Sequence, residues 1–173
     1  MRMIRLPLLL LSFPLLALTA ACASGVPDPA PEVRELLDRQ QITALVDRLG
    51  RALDEKQLDE LLTIYTSDAT AATPGGTAEG RDALIAQAGR IHTRRDLHIQ
   101  HAISNVLIDL HGDTAEVRAN LIATFTPVES EGAPPQPQFT LGEIYRFDAV
   151  HTPEGWRLSR VQSIPIWSIG TRP

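Results

Sequence analysis

Between Thr114 and Thr126 the chain alternates: Val117, Ala119, Leu121, Ala123 and Phe125 fall on one face, and Glu116, Arg118, Asn120, Ile122 and Thr124 on the other. A period of two over this length describes a long strand with one buried face, which needs paired neighbours and an apolar cover. The neighbours are marked by turns. Residues 98–110 precede it across His111-Gly112-Asp113, whose Gly-Asp pair suits a tight hairpin with positive φ at the glycine. Strands 139–150 and 156–167 flank Pro153-Glu154-Gly155, and a proline-rich loop, 127–137, joins the two hairpins.

The cover lies upstream. From Val33 the pattern is helical: Ile42, Leu45, Val46, Leu49 and Leu53 recur at i, i+3, i+4, i+7 and i+11, with Asp38, Arg39, Asp47, Arg48 and Arg51 elsewhere around the cylinder. A second, short helix carries Leu58, Leu61, Leu62 and Tyr65. Pro74-Gly75-Gly76 is a turn, and Arg81 to Ile91 reads as a third helix through Leu84, Ile85 and Ala88. Three helices followed by four long, turn-linked strands predict an α+β domain, with the helices on one face of a curved antiparallel sheet.

The first 21 residues stand apart from this. Leu6 to Ala21 is apolar apart from Ser12 and Thr19, follows Arg2 and Arg5, and ends in small residues before Cys22. That is an export signal in composition, and sixteen residues broken by Pro7 and Pro14 fall short of the ~20 a spanning helix needs. Cys22 is the only cysteine, which rules out an intramolecular disulfide and a cysteine zinc site. Leu18-Thr19-Ala20-Ala21-Cys22 resembles the lipobox of bacterial lipoproteins, with Thr19 in place of the usual leucine. The resemblance implies a lipid anchor on Cys22 and, with Ala23 next, an outer-membrane destination in a host that has one. A plain secretory signal is the alternative. Residues 22–32 read as a proline-rich tether and 33–173 as a single domain. After residue 21 there are 14 basic and 21 acidic residues, a net charge of −7 without a basic run, which argues against nucleic acid and against anionic lipid as electrostatic partners.

Several short segments, in this order, resemble one family. They are Ala52-Leu53-Asp54, Leu58-Asp59-Glu60-Leu61-Leu62, Tyr65-Thr66-Ser67-Asp68-Ala69, Glu79-Gly80-Arg81-Asp82-Ala83-Leu84, and His101-Ala102-Ile103-Ser104-Asn105. Gly112-Asp113-Thr114-Ala115 and Gly155-Trp156-Arg157-Leu158 complete the set. Together they resemble the SnoaL-like branch of the nuclear transport factor 2-like superfamily, over about residues 33–170. The resemblance implies a cone: a strongly curved sheet wrapped over three helices and enclosing one pocket. Such a fold hosts many activities, so function has to be argued from the site.

In SnoaL-like dehydratases and a related dehydrochlorinase, an aspartate and a histidine at the places of Asp54 and His101 form a dyad. The resemblance implies that Asp54 orients the imidazole and that His101 removes a proton from carbon. Each residue also has a plainer reading. Asp54-Glu55-Lys56-Gln57 is a capping box for the second helix, and His101 shares a strand face with Ile103, Asn105 and Leu107, so it suits an ordinary interior histidine. Glu143, on one face with Phe139, Leu141, Tyr145 and Phe147, is either a pocket group or a rim carboxylate. The candidate pocket residues beside the dyad are therefore Asn105, Glu143 and Tyr145. Leu49 stands where the dehydrochlorinase has a pocket lysine, and Val161 stands near its pocket arginine.

Other chemistry finds no motif. His98 and His101 fall on opposite strand faces and cannot share a metal. Asp109 and His111 flank a hairpin tip and read as solvated, and Trp156 reads as core packing. There is no nucleophile elbow, phosphate loop or dinucleotide fingerprint, so neither cofactor nor metal is expected. Three functions remain: a lipid-anchored protein binding a small, mostly apolar molecule; a cofactor-free lyase or isomerase using Asp54 and His101; and a structural lipoprotein whose cone is filled by side chains. Val106, Ile108 and Leu110 alternate as if to form an apolar patch on the outer sheet face, which would support a homodimer.

Overall fold

Ile42, Leu45, Val46, Leu49 and Leu53 are all buried along one side of a 24-residue helix, α1 (Pro31–Asp54). The computed structural model describes residues 29–128 and 135–173; the expected signal, Cys22 and the tether up to residue 28 lie outside the described residues. The helix begins two residues inside the segment expected to be tether. Proline is compatible with a helix's first turn because those amides have no intrahelical acceptor, and Glu32 complements the positive end of the helix. At the other end the Gln57 N–H donates to Ala52 O (2.8 Å) and Lys56 adopts φ 60°, a left-handed cap that stops the helix.

A 3₁₀ turn (Leu58–Glu60) leads into one turn of helix, α2 (Leu61–Ile64). Tyr65 was expected on this helix but opens strand β1 (Tyr65–Thr73), which turns at Pro74-Gly75 into β2 (Gly76–Glu79). Next come α3 (Arg81–His92), β3 (Leu97–His111), β4 (Thr114–Pro127), β5 (Phe139–Thr152) and β6 (Gly155–Gly170). The sheet thus has six strands rather than four, in the order β2-β1-β6-β5-β4-β3. It is also mixed rather than antiparallel, because β1 runs parallel to β6. That pairing joins residues at least 90 positions apart, which no local pattern reports. Gly112 (φ 61°) and Gly155 (φ 98°) supply the positive φ of the two hairpin turns. Trp156 is buried in the core, as its sequence context suggested, and its Nε1 donates to Asp38 Oδ1 at 2.8 Å.

Strand β3 changes phase halfway. Ser104 pairs with Asn120 and Leu107 with Arg118, so two residues of β3 face one of β4, and Asn105 takes φ 53°. This bulge exchanges the faces of everything that follows. Two expectations from simple alternation are corrected by it. Asn105 is exposed rather than in the pocket, and Val106, Ile108 and Leu110 pack against the core instead of forming an outer patch. Leu107 points outward and is 59% exposed. Asn tolerates left-handed backbone better than most residues. Asn105→Val should therefore cost about 1–2 kcal/mol in chemical denaturation, while Asn105→Gly should leave stability unchanged or slightly higher.

Candidate active site

β3 is an edge strand, and the backbone groups on its open side need partners. Side chains from α1 and its cap supply them. Arg39 Nη1 donates to Ile108 O (2.6 Å), Lys56 Nζ to Leu97 O (3.1 Å), and the His101 N–H donates to both oxygens of Asp54 at 3.0 and 3.2 Å. Asp54 Oδ1 also lies 2.6 Å from His101 Nδ1. Asp54 is the last residue of α1, and the 3₁₀ turn after Gln57 has no side-chain cap, so the capping-box reading is overturned. A carboxylate only accepts hydrogen bonds, which places the imidazole proton on Nδ1 and leaves Nε2 with a lone pair. The His101 side chain is 4% exposed and that of Asp54 27%.

The ring lines a cavity of about 390 Å³ between helices and sheet. Its walls are chiefly apolar, with Leu49, Leu53 and Leu61 from the helical side and Phe125, Leu141 and Val161 from the sheet. The cone is therefore not filled by side chains. Leu49 and Val161 keep their parts of the wall apolar. Glu143 and Tyr145 also line the cavity. Glu143 is 7% exposed, which removes the rim reading. Burial pushes its carboxyl up, opposed only in part by the Ser163 hydroxyl and by the charges of His101 and Arg172. Glu143 Oε1 and the Ser163 hydroxyl are both buried without a hydrogen-bond partner among the described residues. Burial likewise raises the Tyr65 and Tyr145 hydroxyls well above their ordinary range, so both are neutral donors.

His92 was missed. It lines the same cavity from the last turn of α3, its ring centroid 5.3 Å from that of His101. Its Nδ1 lies 2.8 Å from Ala88 O, which fixes the proton there, and its Nε2 is buried with no partner. A usable signal was present, since Leu84, Ala88 and His92 fall at i, i+4 and i+8 on one stripe of α3. Burial lowers His92 from 6.5 to about 4, against a smaller rise from Ala88. Because the folded value lies below the unfolded one, the contribution is complete above pH 6.5 and is lost as pH falls towards 4. Two and a half units correspond to about 3 kcal/mol. Urea denaturation between pH 7 and 4 should show a stability loss of that order, and His92→Phe should flatten it.

Comparison with known proteins places this geometry. A model of the SnoaL-like domain matches residues 34–162. The uncharacterized Mycobacterium tuberculosis protein Rv2910c is 31% identical over 130 residues, covering 74% of this chain and 85% of its own. Among solved structures, a scytalone dehydratase-like protein from Novosphingobium aromaticivorans superposes with a TM-score of 0.69 at 21% identity, covering 82% of this chain and 93% of that one. The dehydrochlorinase LinA gives a TM-score of 0.69 at 17% identity, with 82% and 98% covered. At such identities the structures share a fold with this chain; the domain match carries the family. The chain belongs to the SnoaL-like family.

Proposed function

We propose that the protein takes a small, mostly apolar molecule into its cone and removes a proton from one of its carbons, as a cofactor-free lyase or isomerase. The observation that carries this reading is the 2.6 Å contact between Asp54 Oδ1 and His101 Nδ1, on a ring that lines an apolar cavity. His101 Nε2 is the base. Asp54 holds the ring in the tautomer that leaves Nε2 free, and stabilises the imidazolium formed when it takes the proton. In an elimination, the electrons of the broken C–H bond become the new double bond and the leaving group departs with its own pair. The carboxyl of Glu143, biased by burial towards its protonated form, can protonate a leaving oxygen. In an isomerisation the proton returns from His101 to a different carbon. A positioned base of this kind is worth ~10²–10⁴ in rate. The eliminating enzymes among the structural relatives support the same reading.

Binding without turnover is the second reading, and it is favoured by Leu49 and Val161, which leave the cone without the cations expected from the related dehydrochlorinase. The two separate cleanly. The molecule that copurifies with the protein from its host, identified by native mass spectrometry, should gain deuterium at carbon when incubated with the protein in D₂O. His101→Gln should abolish that gain while the molecule remains bound. A bound molecule that never exchanges would leave a carrier and no enzyme.

We place the protein at a membrane surface through acyl chains on Cys22, the residue at the end of the export signal. Lipid chains anchor by burying methylenes at ~0.8 kcal/mol each. Cys22→Ala should move the protein from the membrane to the soluble fraction, and a wild type that is soluble and carries no acyl mass would remove this placement.

A further inference from the structure

The cavity is graded from its depth to its mouth. His101 and Glu143, which hold the reactive groups, are nearly buried, and the walls around them are aliphatic and aromatic. The remaining charged side chains that line it, Arg90 and Arg172, are both exposed and come from different elements. Arg90 comes from α3, its Nη2 donating to Gly75 O at 2.8 Å in the β1–β2 turn. Arg172 follows β6, its guanidinium 5.6 Å from the centre of the Phe139 ring. Among the described residues neither is paired with a carboxylate, while Arg39, Arg48, Arg94 and Arg160 all are.

Neither carboxylate side chain near the reactive groups serves these two cations. Asp54 is committed to His101 and lies behind its ring. Glu143 is within electrostatic reach of Arg172, yet burial favours its uncharged form. The mouth thus presents two guanidiniums, with planar donor sets that suit a carboxylate or phosphate, above an interior that suits an uncharged body.

Resting on the reading that the cone takes a small apolar molecule, we infer that this molecule is amphiphilic: an anionic group at the mouth, held by Arg90 and Arg172, on an apolar body that reaches His101. Carboxylate and phosphate share this chemistry. The head fixes which carbon lies against Nε2, so the two arginines set orientation as well as affinity. Both sit in water, where each ion pair contributes modestly, so together they should favour the anion by about tenfold.

Three probes with one apolar body test this: 2-naphthoate, 2-naphthyl phosphate and 2-naphthamide, titrated into the purified protein by calorimetry or by NMR of the His101 ring. At least one anion should bind about tenfold tighter than the amide at low ionic strength. The preference should shrink as salt rises, and the double variant Arg90→Gln/Arg172→Gln should bring anion and amide together. The anion that gains more identifies the head. Equal binding of all three to the wild type would overturn the anionic head and leave the apolar pocket standing. A preference that survives in the double variant would overturn the assignment to these arginines. Failure of every probe to bind would remove the pocket reading itself.

Discussion

One carboxylate ties this fold to its site. Asp54 accepts the His101 backbone N–H and the His101 ring N–H together, so the same group completes an open strand edge and fixes an imidazole. The α1 helix has to end where it does for this to happen. Its left-handed cap at Lys56 turns the chain away and brings Lys56 Nζ to the carbonyls of Arg94 and Leu97, at the start of the strand that carries His101. Strand position, helix length and ring orientation are therefore not independent. A partly buried charge held by two donors is costly to leave unsatisfied, and that cost couples them.

Burial sorts the other titrating groups of the cavity by one rule. Glu143, Tyr65 and Tyr145 are pushed up and His92 is pushed down, so each is driven towards its neutral form. His101 alone among them has a carboxylate in contact. Two imidazoles 5.3 Å apart consequently differ in character: one backed by an anion, the other by a peptide carbonyl. The apolar cavity supplies the common environment, and the second contact of each ring decides what that ring can do.

Much of the fold was legible in residue spacing, because α1, α3 and the β3 to β6 meander are long and bury one face each. The β1–β2 hairpin was not. Its buried residues, Tyr65, Ala69, Ala71 and Ala78, are mostly small and irregularly spaced, and its main partner β6 lies at the far end of the chain. The bulge at Asn105 left a trace that a fixed alternation passes over: the apolar positions shift from Leu97, Ile99 and Ile103 to Val106, Ile108 and Leu110 across Ser104-Asn105. It cost one candidate pocket residue and inverted three others. Asp54 and His101 were found through family resemblance, and Glu143 and Tyr145 through strand alternation. His92 escaped because a histidine at the end of a helix carries no pattern until its stripe is compared with Leu84 and Ala88.

The two ends of the sheet have a consequence of their own. An open strand edge is a template on which another chain can add, and long flat edges lead to fibrous aggregation. Here one edge is β2, only four residues long, and the other is β3, held along its length by Arg39, Asp54 and Lys56. Neither offers a free ladder. The residue that orients the imidazole thus also blocks a strand from docking beside it, so a change at Asp54 made to silence the chemistry would at the same time uncover a surface on which copies of the chain could polymerise.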